Sequence, residues 1–168
     1  MVLFREGLIR GAERSFFEAM RQGWASGAST KKDFPFPGAK GYEFNFKHGE
    51  TKLQLLDYYF VHELSRTSFG TKIIIHFGQP IWMMQYGGWY DKKAILFVKT
   101  ALMDSYSRDM FRGGRGQASF YNNESYSGLL YTNLGDPLGF ENFKGREFVT
   151  DGFGKLLGEH NYFGGVMI

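Results

Sequence analysis

The chain has 168 residues, a length that suits one domain able to bury about 70% of its unfolded surface. It has no cysteine, which excludes disulfide staples, thiolate metal sites and cysteine nucleophiles, and no apolar run approaches the ~18 residues of a membrane-spanning helix. Twenty basic and seventeen acidic residues, interleaved along the chain, leave a net charge of +3, too small and too evenly spread to mark a nucleic-acid binder.

In chain order, residues 1–33 read as a helix and its exit loop. Ile9, Ala12, Phe16, Ala19, Met20 and Gly23 recur at helical spacing, with Glu13, Arg14, Glu18 and Arg21 on the opposite side. Gly7 and Gly11 weaken the start. The Arg5-Glu6 charge pair interrupts what would be the apolar core of a signal peptide, so a cytoplasmic, bacterial-type protein is the expectation.

Residues 34–90 form a first hairpin set. Phe34-Pro35-Phe36-Pro37-Gly38 is predicted extended and then turning, and Tyr42-Glu43-Phe44-Asn45-Phe46 alternates as a half-buried strand does. After a turn over residues 47–50, Lys52 to Glu63 returns as a long strand. A second turn is predicted around Ser68-Phe69-Gly70, leading into Lys72-Ile73-Ile74-Ile75-His76. A third at Gly78-Gln79 reverses the chain into Ile81–Tyr86, with Pro80 at the head of the strand, where proline costs least.

Residues 91–107 carry the clearest element. Asp91 is placed as an N-cap, and Ala94, Phe97, Val98, Ala101, Leu102 and Ser105 mark one apolar face. Residues 108–168 read as a second hairpin set, with short strands at Ser119-Phe120-Tyr121, Leu129-Leu130-Tyr131, Glu147-Phe148-Val149 and Leu156–Tyr162. Asn122-Asn123, Gly135-Asp136-Pro137 and Asp151-Gly152 have turn chemistry.

At an offset of 76 positions Ile73, Phe77, Gly78, Ile81, Tyr86 and Gly88 meet Val149, Phe153, Gly154, Leu157, Tyr162 and Gly164, an internal similarity between the two sets. The expected fold is a single α+β domain: a curved antiparallel sheet of hairpins with two main α-helices packed on it. An all-β barrel with peripheral helices is the alternative.

The stretch Gly78-x-Pro80-x-Trp82-x-Met84-Gln85-Tyr86-x-Gly88 resembles the G-x-P-x-W-x-M-[NQ]-Y-x-G motif of a bacterial domain family of unknown function. Asp57-Tyr58-Tyr59-Phe60, Gly135-Asp136, Phe143-x-Gly145-x-Glu147 and Tyr162-Phe163-Gly164-Gly165 are similar to further blocks of it. Members of that family occur alone or behind a repressor-type helix-turn-helix, which implies a regulatory association and no particular chemistry. Lys72 departs from the acidic residue usual at its position in the family, and Gln85 from asparagine. One helix of about 23 residues is too short for a three-helix DNA reader.

Six residues are candidate ligand contacts: Asp57, Tyr59, Trp82, Tyr86, His160 and Tyr162. Trp82, Met84 and Tyr86 share one strand face, which either lines an aromatic pocket or packs under the second helix. Asp57, between Leu56 and Tyr58, is a carboxylate where burial is expensive without partners. His48, His62, His76 and His160 have no helical zinc spacing, so no metal and no cofactor are expected. The function read from this pattern is a small-ligand-binding or protein-interaction module with an aromatic-lined concave sheet. Its partner is a small molecule or a protein, a second copy of the chain included. One alternative is an enzyme pairing Asp57 or Glu147 with a histidine as acid and base. Another is a weak nucleic-acid contact through Arg112 and Arg115 of the Arg-Gly loop.

Overall fold

A computed structural model describes residues 2–122, 124–135 and 139–168. Their helices are α1 (Val2–Met20) and α2 (Ile95–Ser107). Their strands are β1 (Lys32–Asp33), β2 (Lys40–His48), β3 (Thr51–Val61), β4 (Thr67–His76), β5 (Gln79–Tyr90), β6 (Ser119–Phe120), β7 (Leu130–Gly135), β8 (Asn142–Thr150) and β9 (Leu156–Val166). Asn123, Asp136 and Pro137, assigned to turns above, lie outside the described residues. No helix among the described residues is long and apolar enough to cross a membrane.

All nine strands make one antiparallel sheet in the order β1-β2-β3-β4-β5-β9-β8-β7-β6. Each half is a run of hairpins, and the halves join where β5 lies beside β9. The two-residue strands β1 and β6 sit at opposite edges and do not pair with each other, so the fold is α+β with an open sheet and the barrel alternative falls.

The internal similarity is visible as geometry. Tyr86 pairs with Tyr162, Met84 with Gly164 and Gly88 with His160, the register expected of an approximate two-fold axis between the tyrosines. The turns at the hairpin tips, Phe77-Gly78 and Phe153-Gly154, occupy equivalent places. The relation also extends past the hairpins. The Tyr86 hydroxyl donates to Asp57 Oδ1 at 2.9 Å, and the Tyr162 hydroxyl donates to Asn133 Oδ1 at 2.5 Å, with Asp57 and Asn133 themselves 76 positions apart.

Both helices cover one face of the sheet. From α1, Ile9, Ala12, Phe16, Ala19 and Met20 are buried as the periodicity predicts, while Gly23 lies beyond the helix, its N–H on the Ala19 carbonyl. Asp91 accepts the Lys93 N–H and caps a 3₁₀ turn at Lys92–Ala94, from which α2 continues. Phe97, Val98, Ala101, Leu102 and Ser105 then form its buried face. Phe16 sits at the centre, its ring 5.5 Å from Trp82 and 5.5 Å from Phe111. Burial of each such large side chain contributes roughly 1.5–3 kcal/mol relative to exposure.

One predicted turn is misplaced. The chain reverses between β3 and β4 near residues 63–66, and Ser68-Phe69-Gly70 is already strand. Gly70 is there to receive a ring, since a Cβ at that position would lie 2.4 Å from the Tyr86 ring; Gly145 stands in the same relation to Tyr162. The face of the sheet away from the helices carries Phe69 and Phe163 in exposed positions.

Candidate functional site

A cleft of about 730 Å³ opens between the helices and the sheet. Its floor comes from alternate residues of adjacent strands: Asp57 and Tyr59 on β3, Ser68 and Lys72 on β4, Tyr86 and Tyr90 on β5, and His160 on β9. Register puts them in rows, with Asp57 opposite Lys72 and Tyr59 opposite Gly70, itself opposite Tyr86. Its walls are Met20 at the end of α1 and Trp24 in the turn after it, Ile95, Lys99, Leu102 and Tyr106 on α2, and Arg115 from the loop that follows.

Asp57 is buried, and its carboxylate is used twice. Oδ2 forms an ion pair with the buried Lys72 ammonium, and Oδ1 accepts the Tyr86 hydroxyl. Burial pushes the Lys72 ammonium below its ordinary pKa, with Asp57 pulling the other way. Burial and then the Asp57 charge push the Tyr86 phenol well up, so it stays a donor. The Lys72 ammonium also lies 4.8 Å from the Tyr86 ring centre. Lys72 is thus the cation that makes a buried Asp57 tolerable.

A second buried cluster closes the inner end. The Arg115 guanidinium, in a residue only 4% exposed, pairs with the Glu147 carboxylate, which also accepts hydroxyls from Tyr90 and Tyr131. Burial by itself would raise the Glu147 carboxyl; Arg115 and the Tyr131 hydroxyl hold it below the ordinary carboxylate value. Asn133 and Tyr131 bind the backbone of the same loop through the Gly116 carbonyl and N–H.

His160 lies between these clusters, 5% exposed, its ring 4.5 Å from that of Tyr90. Nε2 is 3.3 Å from the Ser68 hydroxyl, and Nδ1 has no hydrogen-bond partner among the described residues. Burial pushes the imidazole down to about 3, reinforced by the Arg115 charge. It is therefore neutral at physiological pH.

Of the six candidate contacts, the structure brings Asp57, Tyr59, Tyr86 and His160 together at the cleft. Trp82 is corrected to core: it is fully buried, stacks on Phe140 at 4.9 Å and donates Nε1–H to the Phe140 carbonyl at 2.9 Å. Tyr162 is also buried away from the cleft, its hydroxyl on Asn133. The Trp82-Met84-Tyr86 face is thus core at one end and cleft at the other.

The Arg-Gly loop is corrected as well. Arg112 is exposed, but Arg115 is held inside by Glu147 and cannot meet a polyanion. Residues 113–116 are buried rather than solvated, because Tyr162, Phe16 and Tyr131 press on the loop glycines; a Cβ on Gly113 would lie 2.2 Å from the Tyr162 ring. The carboxylate–histidine alternative finds no hydrogen-bonded pair among the described residues, although Glu147 lies opposite His160 across β8 and β9. His48 contacts Ser15, His62 contacts Ser65, His76 contacts the Lys52 carbonyl, and His160 contacts Ser68. No group of three metal-ligating side chains converges among the described residues.

Sequence reasoning missed Lys72, Arg115 as an internal cation, and the tyrosines around Glu147. One available signal was Lys72 itself, on the same face of its strand as Ile74 in an otherwise apolar run. Another was the 76-residue offset, which relates Asp57 to Asn133. No family model, curated protein or solved structure matches the chain significantly.

Proposed function

We propose that the protein is a small-ligand-binding module and that the cleft over Asp57, Tyr59, Tyr86 and His160 holds the ligand. The observation that carries this reading is the cleft itself. Its volume of about 730 Å³ falls within the ~300–1,000 Å³ usual for small-molecule sites, and apolar walls surround a few fixed polar groups. Those polar groups are preorganised. Asp57, Lys72 and Tyr86 hold one another, as do Arg115, Glu147 and Tyr90, so binding spends little free energy on ordering them. The neutral His160 and the hydroxyls of Ser68 and Tyr59 are the polar groups of the floor outside those networks.

The likeness of the Gly78–Gly88 motif to a family whose members occur alone or behind DNA-reading domains supports sensing, by analogy, as the use of such a site. Reaction chemistry is not part of the proposal, because Asp57 and Glu147 are committed to ion pairs and no histidine among the described residues is hydrogen-bonded to either.

Affinity-selection mass spectrometry with a metabolite extract tests the reading. Wild type should retain one or a few compounds that Ser68→Phe and Ile95→Trp, each filling the cleft from a different wall, do not. Thermal denaturation confirms that the variants fold. Retention of nothing by wild type, or of the same compounds by both folded variants, refutes it.

A further inference from the structure

We propose that the ligand is an organic anion, a flat apolar body bearing one carboxylate or phosphoryl group, with the charge at the cleft mouth between Lys31 and Lys99. The inference rests on the small-ligand reading and deepens it.

The balance of charge around the cleft is carried by its mouth. Inside, Lys72 and Arg115 are each matched by a buried carboxylate, and at the rim Arg66 has Asp91 at 3.9 Å. Lys31, Lys40 and Lys99 have no ion pair among the described residues, and Glu63 is the one carboxylate lining the cleft without an ion pair among them. Three cations against one anion leave an excess that the protein itself does not neutralise.

The placement of two of these lysines is specific. Lys31 comes from the loop before β1 and lies 5.6 Å from the Tyr59 ring centre; Lys99 comes from α2 and lies 4.8 Å from that of Trp24. Two walls of one opening therefore each present an ammonium backed by an aromatic ring. Burial and then the Lys31 charge push the Lys99 ammonium below its ordinary value, so the two repel across the mouth. An anion between them relieves that repulsion, and the body behind it meets Tyr59, Ile95 and Leu102. A flat ring suits walls that offer aromatic faces.

Four probes with one ring system isolate the charge: 2-naphthoate, 2-naphthyl phosphate, 2-naphthalenemethanol and 2-naphthylmethylammonium, titrated into the full chain and followed by calorimetry and backbone amide NMR. At least one anion should bind tenfold or more tightly than the alcohol, with the ammonium weakest. The tighter anion identifies the headgroup. Lys31→Gln with Lys99→Gln should weaken that anion at least tenfold, leave the alcohol within twofold, and flatten the salt dependence. Alcohol and anions binding alike, or the double variant binding the anion like wild type, overturns the anion assignment while the small-ligand reading stands. Binding that Ser68→Phe and Ile95→Trp leave intact lies outside the cleft and overturns the proposal. If all four fail to bind at millimolar concentration, the proposal is overturned, and the metabolite retention experiment decides the small-ligand reading separately.

Discussion

Acid should destabilise this protein through His160 as pH falls below the ordinary imidazole value. The imidazole is held neutral at about 3, against 6.5 for a free side chain. Between those values the unfolded chain binds a proton that the folded chain refuses, so stability is fully present above pH 6.5 and is lost as pH falls. At about 1.4 kcal/mol per unit, the loss approaches roughly 5 kcal/mol by pH 3 and is about 2 kcal/mol between pH 7 and pH 5. Glu147 contributes with the same sign, but only below its ordinary carboxylate value of 4.5. Burial is the main cause of the shift; Arg115 and Lys72 add to it by repelling the imidazolium, and Glu147 opposes it only in part. Urea denaturation of wild type and His160→Gln at pH 7 and pH 5 measures the effect, because an amide stays neutral and the other three histidines cancel in the difference. Wild type should lose about 2 kcal/mol more than the variant. Equal losses, or a His160 ring signal titrating near 6.5, refute the argument.

Three further outcomes follow from the same geometry. Lys72→Met should cost about 3–5 kcal/mol by stranding the Asp57 carboxylate, and adding Asp57→Leu should recover most of it; chemical denaturation of the single and double variants checks this. Gly70→Ala should cost about 1–3 kcal/mol in wild type because the new methyl displaces the Tyr86 ring, and almost nothing in a Tyr86→Ala background, as a double-mutant cycle of melting transitions would read. Trp82→Ala should cost about 3–5 kcal/mol as a core truncation, whereas Tyr59→Ala should cost less than ~1.5 kcal/mol and abolish ligand retention.

The elements were legible because periodicity reports burial. The stripe of Phe97, Val98, Ala101 and Leu102 could only be a helix face, and the alternation of Tyr42, Phe44 and Phe46 only a half-buried strand. The offset of 76 residues showed two similar hairpins, but their side-by-side packing through Tyr86 and Tyr162 depends on long-range pairing that no local pattern records. Ser68-Phe69-Gly70 was misread because glycine marks both turns and close approaches, and the reason for Gly70 is a ring on the neighbouring strand. The site divided similarly. Asp57 stood out as a carboxylate in an apolar strand, yet its partner Lys72 is 15 residues away and is fixed only by register. Trp82 and Tyr86 share one face, and only the placement of the helices decides that one is core and the other lines the cleft. Arg115 read as a nucleic-acid contact in a glycine-rich loop because its anchor, Glu147, is 32 residues distant in sequence.

The most direct test of the central claim is a crystal structure of the protein with the compound it retains from a metabolite extract. Electron density for that compound should fill the cleft against Tyr59, Tyr86 and the Ser68–His160 floor, with its charged end between Lys31 and Lys99. Density for the retained compound elsewhere on the molecule, with the cleft filled by its own side chains, would contradict the account.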